Sequence, residues 1–239
     1  DALRVTDCVS PFDYTEFLAQ DYDDIRMPVN GLRAKYTRGS VTLEAVCNPV
    51  VDFFVLPTDE RNPWAIRLPS APQPYTTDLE SGKPEKKIKN MEFGGRASVN
   101  LSGIDFSVSA LRTWNKQPAL CPAMSGDGRT FHINGQYRRM TMLGADCSLP
   151  VGQFVLRAEV AEYIGEAQGS GLGQNAVRRN TLNALAGVDW YPGNDWNISV
   201  QYCHKYTSGN LAALSVYRNA GLATARLSKE LLHNTLKLS

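Results

Sequence analysis

Apolar and polar side chains alternate at every second position through much of this chain, in segments of about ten residues. The stretch from Phe154 to Ala161 shows the pattern most clearly. One face of an extended strand there would carry Phe154, Leu156, Ala158 and Val160, and the other would carry Val155, Arg157, Glu159 and Ala161. A row of apolar side chains opposite a charged pair requires one apolar and one wet environment. The alternation therefore predicts strands that separate two such environments.

The connections between these segments are sorted by length. Short turns and long polar loops alternate, which predicts ten strands joined by five short turns and four long loops. The predicted hairpins span residues 32–47, 93–114, 131–164 and 182–202, with a fifth from about residue 222, and the longest predicted loops are 51–90, 115–130 and 165–180. A soluble β-sandwich has no reason to sort its connections in this way. We therefore predict an all-β fold, an antiparallel up-and-down transmembrane β-barrel with about ten strands in this chain.

The first 29 residues differ from the rest and form a separate predicted unit. Ser10, Pro11 and Asp13 are typical of the N-cap, the first position and the first-turn acid of a short helix to about Ala19. We expect residues 1–29 to be a helix-containing loop or plug, and residues 30–239 to be barrel strands and loops, truncated in the last strand. The acids predicted to face the lumen from the plug are Asp13, Glu16, Asp21, Asp23 and Asp24. The alternative is a surface loop whose acids are solvated.

Composition excludes several classes of protein. Hydrophobic residues make up 43% of the chain and the mean hydropathy is −0.30, values that suit both a soluble domain and a barrel with a polar interior. No apolar run approaches the length of about 18 residues that a transmembrane helix needs. A net charge of +1 argues against nucleic acid as a partner. The five cysteines include no C-x-x-C pair, which argues against zinc-ribbon and thioredoxin-type motifs, and we expect no metal and no cofactor.

Three stretches resemble a known family. They are Leu3–Asp13 (LRVTDCVSPFD), Ile25–Asn30 (IRMPVN) and the hairpin that runs from Met142–Asp146 (MLGAD) to Arg157–Glu159 (RAE). This sequence resembles the large, poorly characterised porin-like outer-membrane proteins of Gram-negative bacteria, which are often grouped as a domain of unknown function and are similar to alginate-export-type barrels. The resemblance covers most of the chain. It implies further strands before the first stretch and after Leu236, so that this chain would be an incomplete barrel.

The charged side chains of the predicted strands share one face, which would line the lumen. They are Arg33, Lys35, Glu44, Arg96, Asp105, Asp146, Arg157, Glu159 and Asp189. Facing charges of opposite sign could set up a transverse field that selects among permeants. Alternatively, charges on adjacent strands pair with each other in a narrow wet interior. Trp114, Trp190 and Trp196 lie at predicted strand ends, where a membrane barrel has its interfacial aromatic residues.

These features predict a channel of the bacterial outer membrane, not an enzyme, through which small polar or anionic solutes diffuse. Its expected partners are outer-membrane lipid and lipopolysaccharide, and the lysine run from Lys83 to Lys89 either binds lipopolysaccharide phosphates or is a solvated loop. Two rival functions stay open. One is an outer-membrane hydrolase with a histidine–acid pair at the rim, drawn from His132, His204 and His233. The other is a soluble surface β-protein that binds carbohydrate.

Overall fold

The regular secondary structure of the described residues is almost entirely β-strand. The computed structural model describes residues 4–16, 24–59, 61–65, 75–126, 128–231 and 236–238. In chain order the strands are β1 (Leu32–Arg38), β2 (Val41–Asn48), β3 (Tyr75–Asp78), β4 (Glu92–Leu101), β5 (Ile104–Trp114), β6 (Ala119–Met124), β7 (Phe131–Gln136), β8 (Arg139–Val151), β9 (Phe154–Gln168), β10 (Val177–Gly193), β11 (Trp196–Thr207), β12 (Asn219–Leu231) and β13 (Leu236–Leu238). A 3-10 turn, Ile88–Asn90, is the one helical element of the described residues.

Ten strands form one antiparallel sheet in the order β1-β2-β4-β5-β8-β9-β10-β11-β12-β13. Each strand of this sheet pairs with the strand that follows it in the chain among the strands of the same sheet, which is the up-and-down arrangement. The predicted all-β antiparallel fold is therefore confirmed. In the described part of the chain, β1 and β13 stand at the two ends of the order and each has one neighbour. The remaining strands form a small sheet, β3-β7-β6, in which β3 and β7 are parallel.

The short connections of the large sheet share one end, which we call the turn end. The left-handed backbone that tight hairpins need is present there, with φ of 59° at Gly152 and of 52° and 61° at Asn194 and Asp195. The opposite end, the loop end, carries the connections 49–91, 115–138, 169–176 and 208–218. The small sheet belongs to the first two of these connections. The predicted sorting into short turns and long loops is therefore present in the fold.

Burial along the strands is reversed relative to a sheet in a water-soluble protein. On β10, the polar side chain of Thr181 is 1% exposed, whereas the neighbouring Leu182 is 45% exposed. The same reversal holds at Asp189, which is 4% exposed, beside Val188 at 39%. Because successive side chains of a strand point to opposite faces, β10 buries its polar face and exposes its apolar face, whereas β1 is exposed on both faces.

The backbone register carries both faces across the whole sheet. Leu156 lies opposite Leu149 on one side and Val188 on the other, and Val188 lies opposite Val200. Directly opposed residues of antiparallel strands point to the same side. The apolar face therefore runs continuously from β1 to β12, and includes Tyr36, Leu43, Phe106, Val108, Leu143, Leu156, Val160, Leu182, Val188, Trp190, Val200, Tyr202 and Leu227. We call the opposite side the polar face.

The predicted N-terminal helix is wrong in the part of it that the structure describes. Phe12 and Asp13 instead form isolated β-bridges, with Arg26 and Val55 respectively, and the Asp13 carboxylate accepts a hydrogen bond from the Thr15 amide at 2.9 Å. Tertiary pairing overrides the local helix-start signal here, because backbone groups of two distant segments bond the amides of Asp13 and Tyr14 and the carbonyls of Pro11 and Phe12. The remaining predicted helical positions, 17–19, lie outside the described residues.

The predicted hairpin over residues 131–164 begins later than expected. β7 belongs to the small sheet, and the hairpin of the large sheet starts at Arg139. Tyr137 interrupts the alternation because its ring packs edge-on against Phe53, with ring centroids 4.5 Å apart, and its hydroxyl donates to the Leu79 carbonyl at 3.1 Å. Burial, with a smaller contribution from Glu80, raises the pKa of Tyr137 to about 12. The loop predicted at 115–130 likewise contains a strand, β6.

No helix within the described residues has both the length and the apolar character needed to cross a membrane.

Candidate functional site

The register places all nine charged residues predicted for the lumen on the polar face. Lys35 lies opposite Glu44, and Glu44 lies opposite Arg96, so three of them form a row across β1, β2 and β4. Asp146 lies opposite Glu159 in the next part of the sheet. The other predicted residues, Arg33, Asp105, Arg157 and Asp189, occupy positions of the same parity in their strands. The alternation therefore predicted correctly which side chains share a face.

Most of these charges pair with each other. Arg33 lies 2.6 Å from the Glu44 carboxylate, which Lys35 approaches to 3.9 Å. The guanidinium of Arg96 donates to both carboxylate oxygens of Asp146, at 2.9 and 3.1 Å. Pairs of this kind hold the polar wall in one arrangement, which is what the pairing interpretation of the sequence expects.

The pairs nearest the turn end use hydroxyl groups as well. Arg157 donates to Asp189, whose other carboxylate oxygen accepts from the Ser199 hydroxyl at 2.5 Å. Asp105 accepts from the Asn100 amide at 2.5 Å. Burying the Asp189 carboxylate without donors would be costly, and Arg157 and Ser199 offset that cost.

Residues 4–10, which we call the N-terminal segment, lie against the middle of the polar face. One oxygen of Glu159 accepts hydrogen bonds from the Val5 amide at 2.9 Å, the Thr6 amide at 3.3 Å and the Thr6 hydroxyl at 3.1 Å. The Tyr163 hydroxyl donates to the Val5 carbonyl at 2.8 Å. The segment is thus fastened to β9 by four polar contacts that no local sequence pattern indicates.

Apolar packing holds the same segment down. Val5 and Cys8 form a buried cluster with side chains of the polar face on four strands, namely Leu111, Met142, Ala161 and Leu185. Burial, reinforced by the neighbouring acids Asp7 and Glu92, raises the pKa of the Cys8 thiol to about 12. Cys8 is therefore a neutral packing residue at physiological pH rather than a reactive thiolate.

Two ion pairs at the loop end, one buried and one partly buried, were not predicted. Lys116 and Glu92 are 4% and 1% exposed and lie 2.7 Å apart, and Glu92 also accepts from the Thr113 hydroxyl and from the Trp114 amide at 3.2 Å. Lys205 lies 2.8 Å from Glu166. Extending the alternation of β4 by one residue would have pointed to Glu92. Alternation would have placed Glu166 on the apolar side, and a register shift between β9 and β10 brings it to the polar face instead. Lys116 lies beyond the end of β5, where no periodicity exists to place it.

A cavity of about 640 Å³ lies between the N-terminal segment and the polar face. Its lining includes Arg4, Asp7 and Arg26 from the N-terminal region, and Arg33, Glu44, Arg96, Asp146, Arg157 and Glu159 from the strands. A second cavity of about 320 Å³ lies nearer the turn end of β9 to β12. A polar cavity bounded by a paired set of charges can hold water and hydrophilic solutes.

The acids predicted for the plug were expected to face the lumen, and the structure does not place the described ones at either cavity. Asp13, Glu16 and Asp24 are described but are not among the residues that line either cavity, and Asp21 and Asp23 lie outside the described residues. The acid that the N-terminal segment does bring to the larger cavity is Asp7, which pairs with Arg26 at 2.6 Å.

The predicted interfacial tryptophans have different surroundings. Trp190 is exposed on the apolar face and stacks on Phe154 with ring centroids 5.9 Å apart, and the Lys229 ammonium lies 4.8 Å from the centre of the Trp196 ring. Both lie at the turn end. Trp114 is instead half-buried at the loop end, where its indole N–H donates to the Asn90 carbonyl at 2.9 Å.

The histidines that a hydrolase would use have no acid beside them in the described part of the chain. His132 Nδ1 lies 2.6 Å from the Thr76 hydroxyl, and His204 contacts the Tyr202 hydroxyl at 3.2 Å and the Asn219 amide oxygen at 3.3 Å. His233 lies outside the described residues. No three His, Cys, Asp or Glu side chains among the residues that can be described are grouped to hold a metal ion.

The four lysines of the run in the first long loop pair with three acids. Lys83 pairs with Glu80 at 2.6 Å, Lys86 with Asp52 at 2.7 Å, and both Lys87 and Lys89 with Glu85, at 2.8 and 3.7 Å. Exposed pairs of this kind contribute little to stability. Their acids reduce the positive potential that a lipopolysaccharide phosphate would encounter.

Comparisons with known proteins assign no family to this chain. No protein-family model matches it, and no curated protein matches it. A solved porin structure is similar in backbone, with a TM-score of 0.49 and 8% sequence identity over 84% of this chain and 51% of the porin chain. The chain thus spans about half the length of that porin, and a likeness at this level carries no functional inference. Membership of the porin-like family stays a prediction.

Proposed function

We propose that this chain forms part of the wall of a β-barrel channel in the bacterial outer membrane, through which small polar or anionic solutes diffuse. The observation that supports the proposal is the reversed burial of the large sheet. Large apolar side chains of one face are exposed from β1 to β12, while polar side chains of the other face are buried on β5, β10 and β11, and this polar face lines both cavities. Such a sheet is stable where the apolar side meets lipid and the polar side meets water.

The height of the apolar face agrees with a membrane. On β10 the outward side chains from Trp190 to Leu182 cover roughly 26 Å along the strand at about 3.3 Å per residue. At the usual tilt of about 40° this is roughly 20 Å along the membrane normal, close to the apolar band of about 25 Å in outer-membrane barrels. Trp190 marks the turn-end limit of this band, and Asn180, on the same side of β10, follows Leu182 at the loop end.

Reconstitution of the full-length protein tests the proposal. We expect the protein to need detergent or lipid to stay soluble, and to produce discrete conductance steps in a planar lipid bilayer. Solubility without detergent would support the carbohydrate-binding rival and contradict the membrane location. Folding into lipid without any conductance would contradict the channel function. The outer-membrane enzyme would then be the function to test, with His132 and His204 as the first residues to substitute.

We further propose that the N-terminal segment narrows the channel. Its contact with the middle of the polar face, through Glu159 and the buried cluster around Val5, supports this role. Glu159→Ala removes the acceptor of three hydrogen bonds and is expected to increase single-channel conductance. Asp105→Ala is the matched control, since it removes one negative charge from the same face at a side chain bonded to Asn100 instead. Equal conductance changes in the two variants would contradict the narrowing role.

A further inference from the structure

The two cavities of the polar face meet at a pair of arginines. Arg4, from the N-terminal segment, and Arg157, from β9, line both the larger cavity of about 640 Å³ and the smaller cavity of about 320 Å³. Gln201 also borders both. A solute that moved between the cavities would therefore pass these two guanidinium groups.

The smaller cavity carries an excess of positive charge. Three arginines, Arg4, Arg157 and Arg226, line it together with one acid, Asp189. Asp189 is 4% exposed and already accepts from Arg157 and from the Ser199 hydroxyl. Because this one acid of the lining already pairs with Arg157 and Arg4 lines the same cavity, the cavity attracts anions.

Two of these arginines also keep unused hydrogen-bond donors. The Nε atom of Arg157 is buried and has no hydrogen-bond partner in the described structure. Arg4 makes no hydrogen bond or ion pair to any other residue that the structure describes. A buried donor without an acceptor is costly, and a guanidinium group offers a planar fork of donors that matches the oxygens of a carboxylate or phosphate.

The other side chains that line the smaller cavity suit the uncharged, hydroxylated part of a ligand that carries a carboxylate or phosphate. They are mainly hydroxyl and amide side chains, namely Asn197, Ser199, Gln201, Thr224 and Ser228, with Tyr191 at the edge. These groups both donate and accept hydrogen bonds. They would replace the hydration of hydroxyl groups on a solute that carries the anionic group.

We propose that the smaller cavity is a binding site for the oxyanion group, carboxylate or phosphate, of a small hydroxylated solute, with Arg4 and Arg157 as its principal donors. The proposal rests on the channel function, since it describes a site along the permeation route. Arg4 is the residue that distinguishes this site from the bare sheet, because it comes from the N-terminal segment and the strands alone would lack this second donor.

Titration calorimetry on the full-length protein in detergent tests the site. The probes are inorganic phosphate and gluconate, each added against a constant chloride background that screens non-specific attraction. Both anions or either one should bind to the wild type. A phosphate-only result identifies a phosphate ligand, and a gluconate-only result identifies a carboxylate ligand.

Arg4→Gln is the informative variant, since no described partner of Arg4 is lost and the fold should be unaffected. Loss of one charge-assisted contact is expected to raise the Kd about tenfold or more. Arg61→Gln is the matched control, because it removes the same charge from an exposed loop residue that pairs with Asp59 outside both cavities, and it should leave the Kd unchanged.

The outcomes separate this proposal from the channel function. No binding of either anion to a wild-type protein that conducts in bilayers overturns the site and leaves the channel in place. Equal Kd values for Arg4→Gln and Arg61→Gln also overturn the site. Anion binding by a protein that does not conduct overturns the proposed function while supporting the site chemistry.

Discussion

A single arginine on the apolar face tests whether that face meets lipid. Leu156 on β9 is 41% exposed and points to the same side as Leu149 and Val188. Its neighbour Val155 points to the polar face and lies opposite Asp189. The substitutions Leu156→Arg and Val155→Arg therefore introduce the same charged side chain one residue apart, on opposite faces of one strand.

The expected cost follows from the depth that the proposed barrel would give Leu156 in the membrane. The outward positions on β9 run from Phe154, at the turn end, to Glu162, the first charged outward residue, so that Ala158 lies at the centre. Leu156 is two residues from that centre, or roughly 5 Å along the membrane normal at about 3.3 Å per residue and a tilt of about 40°. An arginine near the midplane of a β-barrel costs about 2–4 kcal/mol. At the lower end this shifts the folding equilibrium about 30-fold.

Folding of the full-length protein into phospholipid vesicles, followed through urea-dependent tryptophan fluorescence, measures this cost. We expect Leu156→Arg to lower the free energy of unfolding by about 2 kcal/mol or more. Val155→Arg should change it much less, because its charge enters the wet interior beside Asp189. Equal losses in the two variants, or a larger loss for Val155→Arg, would refute the assignment of the apolar face to lipid.

Three further outcomes follow from the contacts of the polar face. Lys116→Met is expected to destabilise the fold by about 3–5 kcal/mol in chemical unfolding because it leaves the Glu92 carboxylate buried without a cation, and adding Glu92→Gln should restore a large part of that loss. The free energy of unfolding should fall as the pH rises from about 9 to about 12, because the unfolded chain releases the Cys8 proton before the folded one does. Cys8 contributes at most about 1.4 kcal/mol per pH unit to this slope, and Cys8→Ala should remove that contribution while leaving the contribution of Tyr137, whose pKa is also raised. Gly144→Val should loosen the N-terminal segment, since a Cβ at Gly144 would stand 3.0 Å from Thr6 Cγ2, and hydrogen exchange at the Thr6 amide should then become faster.

The structure also changes the effect expected of the substitution Arg157→Leu. From the alternation alone, Arg157→Leu looks harmless, because Arg157 points to a wet interior. Its guanidinium in fact partners Asp189, whose side chain is 5% exposed. Removing it leaves a buried carboxylate with the Ser199 hydroxyl as a remaining donor, and a broken buried pair is strongly destabilising. Arg157→Leu is therefore a poor control for Leu156→Arg.

Several features of the site were beyond prediction from the sequence for identifiable reasons. Glu159 was assigned to the polar face, but its partners are the backbone amides of Val5 and Thr6, and both residues lie more than 150 positions before Glu159 in the chain. Lys116 lies in a connection where no periodicity exists to give it a direction. The helix expected after Ser10 failed because its signals were local, whereas Asp13 pairs its backbone with Ile25 and Val55.

The alternation of side chains, taken alone, determined the fold class, the sorting of turns and loops, and the face that strand residues occupy up to the register shift between β9 and β10. It could do so because a strand has a period of two, so that one apolar position predicts every second one after it. Tertiary structure decided which charges pair, where the chain leaves the large sheet to form β3, β6 and β7, and that the N-terminal segment covers the polar face. These depend on contacts between residues far apart in the chain, and such contacts leave no periodic trace in the sequence.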